Sequence, residues 1–219
     1  MIEQLSNHTI EIPLFSAAIF PPVQLFTHLL ASREALFEAY EHYQKKTYRN
    51  RYLIGSANGV LPLSVPVEKG DLPKLLMKDV RISYDMQWNE VHWRSIESAY
   101  NSSPYYLYYE DEIRAVFDKK WKYLLDMNLA SMETIFSCLD IHFNIAKTTE
   151  YKPSSFYATD LRILTNPKNN LSDDNSFRIV EYRQVFASKF GFMPNLSILD
   201  LLFNKGPETL LVLKKHLEP

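Results

Sequence analysis

The apolar periodicity of the chain changes at Trp88, and that change limits what the chain can fold into. Before it, apolar residues come in short runs or alternate, as pleated strands require; after it they recur at three- and four-residue steps, as one face of a helix requires. In "WNEVHWRSIESAYNSSP" Trp93, Ile96 and Tyr100 share one stripe, and Asn101, two serines and Pro104 close the helix. "DEIRAVFDKKWKYLLDMNLASMETIFSCLDI" continues the pattern through Trp121, Leu124, Leu125, Met132, Ile135, Phe136 and Leu139, which predicts one or two further helices.

The first third reads differently. "IEIPLFSAAIF" (10–20) is an apolar strand candidate stopped by Pro21-Pro22, "PPVQLFTHLLAS" offers a short helix, and "EALFEAYEHY" returns as a second strand, a β-α-β start. In "RYLIGSANGVLPLSVPV" Asn58-Gly59 separates two apolar runs, which predicts an antiparallel hairpin with positive φ at both turn residues. "LMKDVRISYDM" (76–86) alternates as an edge strand would, with Val80, Ile82 and Tyr84 on one face. The sheet is therefore expected to be mixed. Residues 164–176, "LTNPKNNLSDDNS", are polar and turn-rich and form a surface loop, a lid over a site or a plain excursion. Near the end Asn195 can cap a helix, Gly206 can stop it, and Pro207 can open another. No repeat and no linker divides the chain. The expectation is a single α+β (mixed α/β) domain over 1–219, with a small mixed sheet in a strand-rich part, 1–86, and a mainly helical part, 87–219.

Composition excludes several function classes. With 219 residues, 46% of them hydrophobic, a sizeable core can be buried. A net charge of −2 and a pI of about 6.3 give no broad field for gripping a phosphate backbone, so nucleic acid is not an expected partner. The N-terminus shows no leader pattern and no apolar run is long enough to span a bilayer, which places the chain in the cytoplasm. The lone Cys138, among Ile135, Phe136 and Leu139, reads as a small core residue. There is no His-Glu-x-x-His spacing, and the acids of "YYEDE" suit a helix start, so no metal is expected. Five glycines form no phosphate-binding fingerprint, so no cofactor is expected either. Any phosphate recognition must use side chains.

"KKTYRNR" (45–51) concentrates Lys45, Lys46, Arg49 and Arg51 around Tyr48 and Asn50. On an extended segment Arg49 and Arg51 share a side and could fork onto a phosphate or carboxylate, with a lysine adding a point charge. Equally, these cations suit a solvated strand edge, where they suppress edge-to-edge pairing.

The runs "FPPVQLF", "YQKKTYRNRYLI", "NGVLPLSVPVEK", "DVRISYDMQWNEVHWRSIESAYNSSPYYLYYEDE" and "YRQVFASKFGFMPNLSILDLLFNKGPE" resemble the WbqC-like protein family over nearly the whole chain. Lys45, Asn50 and Arg51 match the family's basic segment, His92 and Trp93 its helix, and Asn195, Ser197 and Asp200 its close. Phe15 stands where many relatives carry a histidine, and Ala39 and Tyr40 stand where they carry an acid pair, with Glu38 and Glu41 beside them. The resemblance implies a role in surface-polysaccharide (O-antigen) biosynthesis, as a transferase of a glycine, other aminoacyl or acyl group to a sugar or nucleotide-sugar. It also favours an anion site in the basic segment, holding a phosphate or diphosphate with Lys45, Lys46, Tyr48, Arg49, Asn50 and Arg51.

Such a transfer needs a base near the incoming nucleophile and donors for the oxyanion. His42, between Glu41 and the cations, and His92, at the margin of an apolar stripe, are the candidates; each also suits a histidine without a catalytic role. Tyr100, with Ser102, Ser103, Tyr105 and Tyr106, could line a sugar pocket or simply pack. Asn195 and Ser197 read as caps. Asp200 interrupts "LSILDLLF", and a buried carboxylate there predicts a salt bridge to the basic segment. The expected partner is a small-molecule nucleotide-sugar or a carrier-linked donor, and a homodimer is considered. The rivals are a non-catalytic module binding a nucleotide-sugar or a protein partner, and an acyltransferase using a carrier-bound thioester.

Overall fold

The computed structural model describes residues 9–70 and 74–217; the N-terminal stretch 1–8, read above for a leader, lies outside the described residues. Strand β1 (Leu14–Phe15), helix α1 (Val23–Ser32) and strand β2 (Glu34–Phe37) form the expected β-α-β start, with β1 and β2 parallel. Strand β5 (Asn144–Lys147) pairs in parallel on the other side of β2, giving the order β1-β2-β5. Pro13 and the Pro21-Pro22 pair confine β1, because proline cannot donate to a ladder. Helix α1 buries every residue from Val23 to Leu29, since it is enclosed by β2, α6 (Ile198–Lys205) and α7 (Thr209–Lys215).

Strands β3 (Arg51–Ser56) and β4 (Gly59–Ser64) make the antiparallel hairpin, with Ser56 opposite Gly59. Only Gly59 has positive φ, 97°, and Asn58 does not. The turn therefore bends through Ala57-Asn58 and places the glycine after it, the pattern of a type I turn followed by a left-handed residue. The mixed α+β class holds, with helices and small sheets. The parallel and antiparallel pairs, however, form two sheets in place of one mixed sheet, and β5 comes from beyond residue 86.

Residues 76–86 form no strand. A 3₁₀ turn at Met77–Asp79 leads into single bridges, Val67 to Ile82 and Arg81 to Tyr123. The Val80 carbonyl accepts from the Leu124 amide (2.9 Å) and the Ile82 amide donates to Lys122 (3.1 Å), so the entry to helix α4 takes the groups a ladder would use. Val80 and Ile82 are buried, as their alternation implied.

The helical part contains α2 (Trp88–Tyr100), α3 (Tyr106–Asp118), α4 (Leu124–Cys138) and a short α5 (Ala187–Phe190). Trp93, Ile96 and Tyr100 of α2 are buried, and α3 packs on both α2 and α4. One apolar cluster runs from Phe15 to Leu213. Fully burying a leucine- or phenylalanine-sized side chain contributes about 1.5–3 kcal/mol, so this cluster is the main source of stability. Among the described residues no helix is long and apolar enough to cross a membrane.

Two close-packed junctions position the ends of α1 and α6. Ser197 caps α6, its hydroxyl accepting from the Leu199 amide (3.3 Å) and donating to the Phe20 carbonyl (2.8 Å). Asn195, expected to cap its own helix, instead adopts φ 55° and accepts from the Gln24 amide (2.9 Å) in the first turn of α1. Gly206 ends α6 at φ 52°, where a Cβ would lie 2.4 Å from the Tyr105 ring, so only glycine fits.

Candidate functional site

The residue after each parallel strand is polar: Ser16 follows β1, Glu38 follows β2 and Thr148 follows β5. All three are buried. The carboxyl ends of parallel strands are where open α/β sheets place their ligands, because the chain leaves the sheet there and opens a crevice. A stretch beside β1 extends the edge, since the Leu14 amide donates to the Thr159 carbonyl (2.9 Å) and the Leu161 amide to the Leu14 carbonyl (2.7 Å). That pairing brings Asp160 and Arg162 to the same end.

Two arginine-carboxylate clusters form there. Arg49, 3% exposed, forks onto Glu41, Nε to Oε1 at 2.8 Å and Nη2 to Oε2 at 2.6 Å. Its Nη2 also reaches Ser16 Oγ (2.8 Å), which in turn donates to Glu41 Oε2 (2.9 Å). Arg162 forks onto Asp160, Nε to Oδ1 at 3.0 Å and Nη2 to Oδ2 at 2.6 Å, and extends Nη1 to Glu38 Oε2 (3.3 Å). Glu38 Oε1 accepts from Thr148 Oγ1 (2.7 Å) and from the Tyr40 amide (2.9 Å). Hydrogen bonding to Asp160 first, and its charge, hold Arg162 above its ordinary basicity. Buried charges of this kind are stable only when they are hydrogen-bonded, and here each fork and each carboxylate has its partners.

The clusters border a cleft of about 400 Å³ whose wall includes Glu41, His42, Arg49, Tyr151, Arg162 and Asn166. The Glu41–Tyr43 backbone is pinned, because the Glu41 carbonyl accepts from the Met77 amide (2.8 Å) and the Tyr43 amide donates to Leu75 (2.9 Å). His42 is exposed at this wall. Tyr151 packs its ring against the Arg162 guanidinium, 5.2 Å from the ring centroid. The segment 162–176 is anchored at both ends of its course. The Tyr48 amide donates to the buried Thr165 carbonyl (2.8 Å), and Asp174 accepts from His28 Nε2 (2.7 Å) and Gln24 Nε2 (2.8 Å) on α1.

The structure divides the residues singled out from the sequence. His42 and Arg49 reach the cleft. Lys45 and Lys46 are exposed and stand outside its wall, Lys46 at φ 60°. Arg51 lies in β3 and donates Nε to Ser64 Oγ (3.2 Å) across the hairpin, so it does not fork with Arg49 onto one anion. Arg49 lies before the strand begins, which breaks the period-two relation assumed between them. Both guanidiniums act on the buried Tyr43 phenol, which burial nonetheless pushes up to about 12. Tyr48 is buried and likewise pushed up to about 12 by burial, and Asn50 donates to the Val65 carbonyl (3.1 Å).

His92 lies in the core, with Nδ1 3.1 Å from the Tyr52 hydroxyl and its ring edge-on to Tyr52, Trp88 and Phe117. Burial lowers it to about 4, against a bond to the Ser64 backbone, so it packs as a neutral ring away from the cleft. Asp200 makes no salt bridge to the basic segment. It accepts instead from Tyr100 (2.9 Å), Tyr182 (2.8 Å) and Gln184 (3.0 Å), because α6 buries it among phenols and an amide. Burial raises it to about 6, with those donors pulling the other way. Tyr100 is thus a partner of Asp200 in the core, where its hydroxyl also accepts from the Gly55 amide (3.2 Å). Sequence reading missed Ser16, Thr148, Tyr151, Asp160 and Arg162, gave Glu38 no role, and gave Glu41 only that of a carboxylate orienting the His42 ring; the local signal was a polar residue directly after each short apolar run. Among the described residues no group of three or more His, Cys, Asp or Glu is disposed to hold a metal ion.

A family model, the WbqC-like protein family, matches residues 17–171, which includes the cleft from Glu38 to Arg162. "Uncharacterized protein Rv1507c" of Mycobacterium tuberculosis is 24% identical over 192 residues, covering 76% of this chain and 81% of that protein. No solved structure matches the chain.

Proposed function

Because the chain belongs to the WbqC-like protein family, we propose that it is a transferase of surface-polysaccharide assembly. It moves an aminoacyl or acyl group to a sugar or nucleotide-sugar held in the cleft at the carboxyl ends of the parallel strands. The observation that carries this reading is the wall of that cleft, where the Glu41–Arg49 fork and the Arg162 cluster stand beside the exposed His42. In the transfer, a nitrogen or oxygen of the acceptor attacks the acyl carbon while His42 takes its proton. The new C–N or C–O bond forms, the bond from the acyl carbon to its carrier breaks, and the carrier leaves with the electron pair and receives the proton from His42. Guanidinium N–H groups at the wall are suited to the charge that develops on the acyl oxygen. Lys45 and Lys46, exposed beside Gln44 of the wall, are suited to meeting a phosphate or diphosphate of the donor from outside.

A second reading, a non-catalytic module for a nucleotide-sugar or a protein partner, is favoured by one observation. Phe15, where the family resemblance implies a histidine in many members, is a fully buried core residue. A thermal-shift panel of UDP-, GDP-, CMP- and dTDP-sugars, free amino acids and coenzyme A on the chain and on His42→Ala separates the two. A ligand at a hundred times its dissociation constant stabilises the fold by about 2.7 kcal/mol, several degrees for a chain of this size. The transferase reading expects a nucleotide-sugar shift in both proteins and transfer only in the parent. A shift without transfer in either protein supports the binding module, and no nucleotide-sugar shift overturns the transferase.

A further inference from the structure

We propose that the cleft admits the uncharged or amine-bearing ring of a sugar, laid on Tyr151, and turns away phosphate and carboxylate groups, an assignment that rests on the reading of this cleft as the sugar site. The charges at the carboxyl edge do not favour an anion. Glu38, Glu41 and Asp160 are three carboxylates against the two guanidiniums of Arg49 and Arg162. Glu41, Arg49 and Arg162 line the cleft, while Glu38 and Asp160 pair with Arg162 without lining it. A phosphate would bring still more negative charge against two clusters that together carry an excess of it, and to be gripped by the Arg49 fork it would have to take Arg49 from Glu41. That would leave a carboxylate 8% exposed without its counter-charge, which is strongly unfavourable.

The donors that remain suit a hydroxyl. An arginine has five N–H donors. Arg49 uses four of them, to Glu41 twice, Ser16 and, at 3.4 Å, Thr47. Arg162 directs its Nε and Nη2 to Asp160 and Nη1 to Glu38, using three. Three N–H groups are therefore left between the two arginines, while Glu41 accepts three bonds of roughly four that a carboxylate can take. A phosphate only accepts. A sugar hydroxyl both donates and accepts, so it can satisfy a guanidinium N–H and a carboxylate lone pair together, and an ammonium substituent would also offset the surplus negative charge.

Tyr151 completes the match. The residue is 54% exposed at the cleft wall, and its ring is held by the Arg162 guanidinium. A phenol ring offers an apolar face to the C–H side of a sugar while the polar wall reaches its hydroxyls. The cleft volume of about 400 Å³ lies at the small end for ligand pockets, room for a sugar ring with any nucleotide left outside, toward Lys45 and Lys46.

Saturation-transfer NMR on the full chain with glucose, glucosamine, glucuronate and inorganic phosphate tests this, each probe repeated on Tyr151→Ala. Glucose and glucosamine are expected to bind, glucosamine more tightly, and to weaken by about fivefold in the variant, the loss of one ring contact; phosphate should not displace them. Binding of glucuronate as tight as that of glucosamine, or displacement by phosphate, overturns the selection against anions while leaving the sugar site standing. Sugar binding unchanged in Tyr151→Ala overturns the platform. If none of the sugars binds, the assignment and the sugar-site reading fall together.

Discussion

Asp200 and His92 are both buried, and burial makes their protonation act on stability in opposite directions. Asp200 is raised from 3.8 to about 6, so the stability tied to its protonated form is complete below about pH 3.8 and is lost as pH rises through 6. His92 is lowered from 6.5 to about 4, so the stability tied to its neutral form is present above about pH 6.5 and is lost as pH falls toward 4. Between pH 4.5 and 7 the two offset each other in the parent chain. Urea unfolding at those two pH values should show Asp200→Asn losing more stability on acidification than the parent, and His92→Gln losing less, by about 2 kcal/mol in each case. Parallel profiles for all three proteins would contradict the burial account. The Arg49–Glu41 fork gives a second prediction. Arg49→Met strands a buried carboxylate and should cost about 3–5 kcal/mol, while adding Glu41→Gln to it restores much of the loss; equal stabilities of the single and double variants would deny the pairing. Of these residues, His42 and Arg49 were legible because they sit together in the sequence, whereas the partners of Asp200 were not, since Tyr100 is 100 residues away.

At the scale of elements, α2 and α4 were legible because each buries residues at a spacing that reveals a helix, as Trp93, Ile96 and Tyr100 do, whereas the short α5 buries none and left no such signal. The parallel strands were only partly legible. β1 spans two residues and β5 four, too short for periodicity to speak, and β5 adds to the sheet from beyond α4. The segment 76–86 misled because alternation reports burial, and Val80 and Ile82 are buried against a helix entry instead of in a ladder. Asn195 misled because a cap given to another helix leaves no local signature. Asn195→Gly should cost about 1 kcal/mol, since glycine accepts the same backbone and only the bond to the Gln24 amide is lost. Asn195→Ala should cost about 1 kcal/mol more, from forcing φ 55° on alanine. Equal losses in thermal unfolding would remove the backbone contribution. Asp174→Ala, which frees the 162–176 segment from His28 and Gln24, should hasten its amide exchange and its cleavage by protease while leaving the α2–α4 core protected. Unchanged exchange in that segment would show that Asp174 does not hold it.

Across the whole molecule, the fold converges distant pieces on one edge: Thr148 meets Glu38 across 110 residues of sequence, and Arg162 meets Glu38 across 124. Side chains so far apart carry no shared spacing, which is why the arginine-carboxylate wall was invisible in the sequence while the basic segment drew attention. The segment's charge is dispersed by the fold: Arg49 turns inward to Glu41, Arg51 goes to the hairpin, and the lysines face solvent. What remains as the proposed site is the cleft at the carboxyl ends of β1 and β2. Ile163 stands at its wall and is 64% exposed, so a larger side chain there can fill the cleft without disturbing the core. The most direct test is the nucleotide-sugar thermal-shift panel run side by side on the parent and on Ile163→Trp. With ligand absent the two should melt together, and the shift seen in the parent should vanish in the variant. An undiminished shift in Ile163→Trp, or none in the parent, would contradict the assignment of the cleft as the site of this protein's function.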